Sequence, residues 1–390
     1  MNSVAFANIE TLVTNDPHQD NGALGALQGA SVVVQDGLIA QVSKSVPSGI
    51  DRVIDCTGMT LLPGFVDSHS HLIFAGDRSA EFATRSQRKE YTAGGISTTV
   101  AATRVASDAQ LTANAHKLLD EALLSGTTTI EIKSGYGLNE KDELRSIEIA
   151  SQFTDETTLL AAHVIPDEFA SNPDDYVKLV IDSIIPKSKA KWIDVFCDQG
   201  AFTPEQAEKI LRTGMEHGML PRIHANQLSA GKGVELAVAL HAASADHLSK
   251  STAHDIELLA SSNTVATLLP GAEFSTHFEA NLGRRFLDAG ATVAIASDCN
   301  PGSSYTTSMP FCIAAAVSLL GFSVEEAVHA ATLGGAKALK RTDIGRIAIG
   351  MRADLVLLSA PSYLYLAYRP GVNLVHSVYK SGRAVTEWQK

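Results

Sequence analysis

The sequence is poor in cysteine, and its few cysteines are isolated from one another. The chain of 390 residues has 4 cysteines: Cys56, Cys197, Cys299 and Cys312. No two of them form a Cys-x-x-Cys pair, which excludes both a disulfide framework and a sulfur-rich zinc site. A chain of this length can bury a large core without such crosslinks.

Long apolar runs and clusters of basic residues are also missing. The longest apolar stretch, residues 311–322, is too short to span a bilayer, and residues 1–16 lack the basic-then-apolar pattern of a leader. The chain has 31 basic and 43 acidic residues, so its net charge is −12. Because no basic stripe stands out, nucleic-acid binding is not indicated. We expect a soluble, cytoplasmic protein with neither a nucleic-acid nor a membrane partner.

Apolar strands alternate with amphipathic helices through the middle of the chain. Helical patterns cover residues 109–125, 140–153 and 204–217. Such alternation favours a parallel α/β sheet, and eight strands over this length favour a closed (β/α)8 barrel of the TIM type. A doubly wound sheet is the alternative. The predicted strands are 60–67, 127–133, 158–163, 192–197, 220–225, 243–247, 264–269 and 292–297.

The two ends of the chain read differently, as short strands separated by glycine-containing turns. Residues 30–35 and 38–42 flank Asp36-Gly37, which is a hairpin signal. Neither end has enough strands for a stable sheet of its own. We therefore expect one small, discontinuous β-sandwich domain, residues 1–60 and 340–390, beside a barrel domain, residues 61–339.

Histidine is abundant for an acidic protein, with 13 in the chain, and several of them end predicted strands. Catalytic groups of such barrels lie at the carboxyl ends of the strands. A single histidine is usually structural, but His69, His71, His163, His224, His247 and Asp298 would all meet on one rim. His69, His71, His224 and Asp298 form a ligand set that suits one Zn or Fe ion per subunit. His277 is undecided, and the other seven histidines are expected to be structural.

Several segments resemble the amidohydrolase superfamily. These are GFVDSHSH at 64–71, the later single histidines with the final aspartate, and GRIAIGMRADLVL at 345–357. The chain is more specifically similar to the imidazolonepropionase family in HLIFAGDR (71–78), EIKSGYG (131–137), AHVIP (162–166), DVFCD (194–198) and SDCNPGS (297–303). No lysine ends the fourth strand, where Cys197-Asp198 stands, so the resemblance implies a site with one metal ion.

The resemblance also implies a reaction, namely the hydrolytic ring opening of 4-imidazolone-5-propanoate to N-formimidoyl-L-glutamate in histidine degradation. Arg78 can grip the carboxylate of this small anionic substrate through two hydrogen bonds. Related enzymes are commonly dimers, so a homodimer is expected. The residues implied to contact substrate or product are Arg78, Tyr136, His163, Asn300, Gly302 and Ser303.

For the mechanism, we expect the metal to activate a water and to polarise the ring carbonyl. Asp298 is expected to pass the proton of the water to the leaving nitrogen, while His247 hydrogen-bonds the developing oxyanion. Gln227 stands where some relatives and related deaminases have glutamate. A glutamine cannot shuttle protons, so we expect it to orient water or substrate.

Two other functions remain open at this point. One is a different cyclic amidohydrolase or an aminohydrolase (deaminase) on the same scaffold, against which Gln227 and Arg78 both speak. The other is a metal-binding protein without catalytic activity, against which the intact set of rim groups speaks.

Overall fold

The computed structural model describes residues 3–16, 18–19, 22–85, 95–276 and 281–387. Its strands are β1 (Ser3–Val13), β2 (Ala26–Gln35), β3 (Leu38–Ser43), β4 (Arg52–Asp55), β5 (Thr60–Pro63), β6 (Phe65–Asp67), β7 (Thr127–Ile130), β8 (Ile132–Lys133), β9 (Thr157–Ala162), β10 (Trp192–Cys197), β11 (Leu220–Pro221), β12 (Ile223–Ala225), β13 (Ser244–His247), β14 (Val265–Leu268), β15 (Val293–Ile295), β16 (Leu355–Leu358), β17 (Val375–Lys380) and β18 (Arg383–Glu387).

The α-helices lie mostly between the strands of the middle region. They are α1 (Ser79–Arg85), α2 (Ile96–Val105), α3 (Asp108–Leu124), α4 (Glu140–Ala150), α5 (Pro173–Leu179), α6 (Ile185–Lys187), α7 (Pro204–Glu216), α8 (Gly233–Ala239), α9 (Ala253–Ala260), α10 (Pro270–Thr276), α11 (Leu282–Asp288), α12 (Met309–Leu319), α13 (Val324–His329), α14 (Gly335–Ala338) and α15 (Tyr365–Tyr368). Helix α7 begins after Thr203, whose hydroxyl accepts from the backbone N–H of Gln206 in a capping box.

Strands from both ends of the chain form one eight-stranded sheet, in the order β18-β17-β16-β5-β1-β2-β3 with β4 beside β1. Asp36 and Gly37 both have positive φ in the β2–β3 hairpin, as the twist of a tight hairpin requires. The sheet has an apolar core of its own, which includes Phe6, Val32 and Leu355. The pairing of β5 with β16 joins the two ends of the chain. We retain the division into 1–60 plus 340–390 and 61–339 as a proposal; the pairing supports one sheet from both ends, and it extends that sheet to Pro63.

The middle region has the predicted parallel barrel strands. An unbroken parallel ladder runs from β8 through β9, β10, β12, β13 and β14 to β15. Strand β6 pairs with β7, and the segment after β6 bonds to the segment after β15, with Asp298 N–H donating to the His69 carbonyl at 3.0 Å. The fold class predicted from the sequence is therefore confirmed.

Three predicted strands are interrupted, each at a residue with a structural task. The predicted strand 60–67 divides at Gly64, so that β5 belongs to the terminal sheet and β6 to the barrel. The other two breaks fall at Glu131 and Arg222, which are fully buried charged residues. Among the described residues, no helix has the length and apolar character needed to cross a membrane.

Candidate metal centre and substrate pocket

The four predicted metal ligands converge on one point inside the barrel rim. His69 Nε2 lies 3.2 Å from His71 Nε2, and Asp298 Oδ1 lies 3.4 Å from each of these two nitrogens. The ring of His224 is centred 4.5 Å from that of His69. His69 and His71 follow β6, His224 lies in β12, and Asp298 follows β15. The cluster of predicted ligands therefore brings together residues that are far apart in the sequence.

The donor atoms of this cluster fit a metal ion. A tetrahedral Zn²⁺ with bonds of about 2.0–2.1 Å holds its ligand atoms about 3.3–3.4 Å apart, close to the 3.2–3.4 Å between the donor atoms of His69, His71 and Asp298. His224 Nε2 is buried and has no hydrogen-bond partner in the described part of the chain. Burial also holds the pKa of His69 and of His71 well below the usual range, so both rings are neutral and can ligate a cation.

Two ligand histidines are oriented from behind by buried carboxylates. The Nδ1 atom of His69 is hydrogen-bonded to Asp246 Oδ2 at 2.7 Å, whereas the Nδ1 atom of His224 lies 3.0 Å from Asp194 Oδ2 in an ion-pair contact without hydrogen-bond geometry. A carboxylate on Nδ1 selects the tautomer that leaves Nε2 for the metal. Sequence reasoning gave neither aspartate a role, although Asp246 directly precedes His247 and Asp194 begins the DVFCD segment.

His247 and Asp298 owe their positions to an uncommon backbone conformation. Their φ angles are +76° and +51°, in the left-handed region that side-chain-bearing residues rarely adopt. Non-glycine residues held in this way cluster at functional sites. The side chains of both residues line a cavity above the ligand cluster. Burial lowers the pKa of His247 to about 3 and raises the pKa of Asp298.

The cavity brings together most of the residues that were predicted to contact substrate. The ring of His163 stacks on that of His71 at 5.4 Å with an interplanar angle of 19°, and the ring of Tyr136 lies 5.4 Å from that of His163. The carbonyl of Gly135 lies 2.9 Å from His163 Nδ1. Two apolar residues that line the cavity, Ile96 and Phe196, were not predicted from the sequence. The cavity is lined by His71, Arg78, Ile96, Tyr136, His163, Phe196, His224, Gln227, His247, Asp298, Asn300 and Ser303.

Arg78 reaches the cavity as part of an ion pair. Its Nε donates to Glu81 Oε2 at 2.8 Å and its Nη2 donates to Glu81 Oε1 at 2.7 Å. Gly302 adjoins this pair, because a Cβ added there would lie 2.4 Å from Arg78 Nη1. Gly302 does not line the cavity itself. It lies beside the guanidinium group of Arg78. Glu81 lies in the first turn of α1, which begins directly after Arg78, and no helical pattern was predicted for this segment.

Asn300 is engaged within its own turn. Its Oδ1 accepts the backbone N–H groups of Gly302 and Ser303 at 2.8 Å each, and its Nδ2 donates to the Asp298 carbonyl at 2.6 Å. The hydroxyl of Ser303 donates to Asp298 Oδ2 at 3.3 Å. These bonds shape the segment that carries Asp298, so Asn300 also holds a ligand-bearing turn in place.

Gln227 lines the cavity at the start of a loop that a half-buried carboxylate holds. Asp198 Oδ2 accepts the backbone N–H groups of Gln227 and Leu228 at 2.8 Å each. Asp198 thus orients the segment after β12. The seven histidines expected to be structural do not line the cavity among the described residues, and His277 lies outside the described residues.

Comparison with known protein families gives a single result for the chain. The model of the amidohydrolase family matches residues 60–385. The chain is 55% identical to an imidazolonepropionase of Mycolicibacterium smegmatis, over 100% of this chain and 98% of that protein. It is also 55% identical to an imidazolonepropionase of Streptomyces griseus, over 99% of this chain and 100% of that protein.

Solved structures that resemble this one share its fold at low sequence identity. A mutant atrazine chlorohydrolase from Arthrobacter aurescens, complexed with zinc and atraton, superposes with a TM-score of 0.76 at 18% identity, over 98% of this chain and 95% of that one. A zinc-bound adenosine deaminase from Xanthomonas campestris gives a TM-score of 0.72 at 18% identity, over 98% and 93%. Such distant likeness supports the architecture alone.

Proposed function

Because this chain belongs to the amidohydrolase family and, within it, to the imidazolonepropionases, we propose how its own residues carry out the reaction. The enzyme adds water across the cyclic amide of 4-imidazolone-5-propanoate. The carbon–nitrogen bond of the ring breaks, the carbonyl carbon becomes a carboxylate, and the nitrogen keeps a proton in N-formimidoyl-L-glutamate. The reaction belongs to histidine degradation.

We propose that His69, His71, His224 and Asp298 hold one Zn or Fe ion per subunit. A bound ion of this kind lowers the pKa of water and polarises a carbonyl oxygen. The observation that carries the proposal is the 3.2–3.4 Å spacing of three ligand atoms from separate positions in the chain. Three imidazoles and one carboxylate suit Zn or Fe, and they suit Mg²⁺ or Ca²⁺ poorly.

Asp298 is the group that we assign to proton transfer. Its Oδ1 faces the nitrogens of His69 and His71, while its Oδ2 lies 3.3 Å from the Ser303 hydroxyl, so a second oxygen is placed to take a proton beside the cavity. The proton moves from the attacking water to Asp298 and then to the leaving ring nitrogen. His247 is neutral and faces the same cavity, so it can donate a hydrogen bond to the oxygen on which negative charge develops.

Cavity residues farther from the proposed metal ligands bind the propionate and the ring of the substrate. We propose that Arg78 attracts the substrate carboxylate, with Glu81 fixing the guanidinium plane. Tyr136 and His163 form an aromatic wall along one side of the cavity, against which the flat ring can stack. We propose that Gln227 orients water or substrate. The turn beside Asp298 supplies the remaining proposed contacts, from Asn300, Gly302 and Ser303.

Two further features of the protein are proposals. The four cysteines are free and buried, as is usual for a protein of a reducing compartment, which supports the cytoplasm. We also propose a homodimer, which the family resemblance supports. Light scattering that gave the mass of one chain, 41.2 kDa, would contradict it.

The decay of imidazolone ultraviolet absorbance tests the function. Enzyme loaded with Zn or Fe should remove this absorbance, and Asp298→Ala should lower kcat/KM by about 10²–10⁴-fold. Asp288→Ala, at an exposed carboxylate, is the matched control and should keep full activity. Absence of decay with loaded enzyme would reject the function. Full turnover by metal-loaded Asp298→Ala would reject the proton-transfer assignment.

A further inference from the structure

Two cations are buried beneath the metal ligands, although the reaction assigns them no task. Lys133 follows the break in the second barrel strand and Arg222 forms the break in the fifth, and both side chains are 0% exposed. A buried cation is costly unless carboxylates partner it closely. The partners of both cations are the carboxylates that orient metal ligands.

The first contact chain runs from Lys133 to His224. Lys133 Nζ donates to Asp194 Oδ2 at 2.9 Å, and the same oxygen lies 3.0 Å from His224 Nδ1. The other oxygen of this carboxylate, Oδ1, has no hydrogen-bond partner among the described residues. The cation and the imidazole therefore share one oxygen, so the lysine fixes the carboxylate rotamer that the imidazole meets.

The second contact chain repeats this arrangement at another ligand. Arg222 Nη2 lies 3.3 Å from Asp246 Oδ2, and the same oxygen lies 2.7 Å from His69 Nδ1. Here too Oδ1 is buried without a partner within the described ranges. Arg222 Nη2 also donates to the Ser68 carbonyl at 2.6 Å, next to His69 in the chain.

Lys133 has a second route to the ligands through the backbone. Its Nζ donates to Glu131 Oε1 at 3.0 Å, and Glu131 Oε2 accepts the backbone N–H of Ser70 at 3.1 Å. Ser70 separates His69 from His71. A cation that served only to neutralise buried charge would not need to meet the same oxygen as a ligand histidine in both places.

We propose that Lys133 and Arg222 are positioning residues of the metal centre, each acting through one aspartate on one ligand histidine. Lys133 acts on His224 through Asp194, and Arg222 acts on His69 through Asp246. Each cation holds its carboxylate turned toward Nδ1, so that Nε2 presents its lone pair to the metal. The inference rests on the proposed metal site.

Zinc affinity of the apo protein, measured by competition with a chelator, tests the proposal without relying on turnover. Lys133→Met and Arg222→Met should each weaken Zn²⁺ binding by about tenfold or more, as losses of outer partners of metal ligands do. The visible spectrum of the Co²⁺ form should shift as well. Lys187→Met and Arg212→Met, in exposed ion pairs, are the controls and should bind zinc as the parent does.

A thermodynamic cycle separates positioning from a general structural role. In an Asp194→Asn background, Lys133→Met should weaken zinc binding several-fold less than it does in the parent, because the path through Asp194 is gone and only the contact with Glu131 remains. In an Asp246→Asn background, the same Lys133→Met change should retain its full effect. Equal effects in both backgrounds would overturn the proposal, as would single variants that bind zinc like the parent.

The test remains decisive if Lys133→Met alone does not fold. The double variant Lys133→Met/Asp194→Asn removes both charges and can be compared with Asp194→Asn directly. Zinc affinities that differ by only a few-fold are expected, since the contact of Lys133 with Glu131 is also lost, and a further tenfold loss in the double variant would contradict the proposed path. If the parent protein itself fails to bind zinc or iron, the proposed metal site is wrong, which is a separate result.

Discussion

At the scale of the residue, the chemistry depends on side chains whose charge state is set by burial. His247 is neutral because its pKa falls to about 3, whereas burial raises the pKa of Asp298 and makes it easier to protonate. One desolvated environment thus surrounds both the proposed hydrogen-bond donor and the proposed proton carrier. The left-handed backbone at both residues turns these groups into the cavity.

Gln227→Glu tests this division of labour. A carboxylate at the 5% exposed position 227 would be desolvated and would repel both Asp298 and the anionic substrate. We expect kcat/KM to fall about tenfold, which corresponds to about 1.4 kcal/mol. The matched control is Gln110→Glu, which adds the same charge at an exposed position. A sharp rise in activity would show that residue 227 can act as a base and would move proton transfer away from Asp298.

At the scale of the element, two carboxylates, one buried and one half-buried, fix the loops that carry the proposed substrate-binding residues. Glu143 of α4 accepts the backbone N–H of Gly135 at 3.1 Å and those of Gly137 and Leu138 at 2.8 Å each. This carboxylate therefore holds the loop on both sides of Tyr136. Asp198 does the same for the loop that begins at Gln227.

Replacing Glu143 by glutamine should disturb this loop. The amide group of glutamine turns a donor toward at least one backbone N–H, which costs about 1–3 kcal/mol in the free energy of unfolding. We expect KM to rise about tenfold as Tyr136 shifts, with a smaller change in kcat. Urea unfolding and steady-state kinetics measure both. Glu140→Gln, at the start of the same helix, is the control, and an unchanged Glu143→Gln variant would mean that residue 143 is already a neutral acid.

Helix α13 ends at a histidine that makes the protein sensitive to acid. Burial lowers the pKa of His329 to about 4, with Lys337 and Arg346 adding to the effect. The unfolded chain binds this proton near pH 6.5, so stability is full above pH 6.5 and is lost as pH falls from 6.5 toward 4. At pH 5 the lowered pKa of His329 reduces the free energy of unfolding by about 2 kcal/mol.

His329→Gln should reduce that loss. The difference in the free energy of unfolding between pH 7 and pH 5 should shrink by about 2 kcal/mol relative to the parent, both proteins being stripped of metal. His116→Gln, at a 65% exposed side chain, should leave the difference unchanged. An identical pH dependence in parent and His329→Gln protein would show that this residue titrates normally.

The barrel elements and their rim could be predicted because local pattern carries them. To place the histidines on one rim, it is enough to recognise the apolar strands and to know that catalytic groups of such barrels lie at the carboxyl ends of the strands. Glu131 and Arg222 could not be predicted as buried, because a charged residue within an apolar run ordinarily indicates a strand end or an exposed face. Their burial depends on partners from other strands, such as Asp246 for Arg222, and no local pattern specifies such contacts.

At the scale of the whole molecule, the terminal sheet and the barrel are connected at Gly64. Strand β5 lies in the sheet and β6 in the barrel, with one residue between them. A Cβ at Gly64 would lie 2.1 Å from the Thr128 hydroxyl of the neighbouring strand, so the close passage requires glycine. The chain thus leaves the sheet and reaches the first ligand histidine within a few residues.

The metal centre should also stabilise the whole barrel, because its proposed ligands follow or end three strands that are distant in sequence. His69 and His71 follow β6, His224 lies in β12, and Asp298 follows β15. An ion that binds only the folded chain stabilises it by about 2.7 kcal/mol at a free concentration 100 times its Kd.

Removing the ion by chelation should therefore lower Tm by several degrees, and calorimetry over a series of Zn²⁺ concentrations should show Tm rising with zinc. Mg²⁺ should not restore Tm, since it prefers oxygen ligands, and Asp298→Asn should shrink the zinc-dependent shift. A Tm that does not depend on Zn²⁺ or Fe would mean that these residues do not hold an ion across the strands.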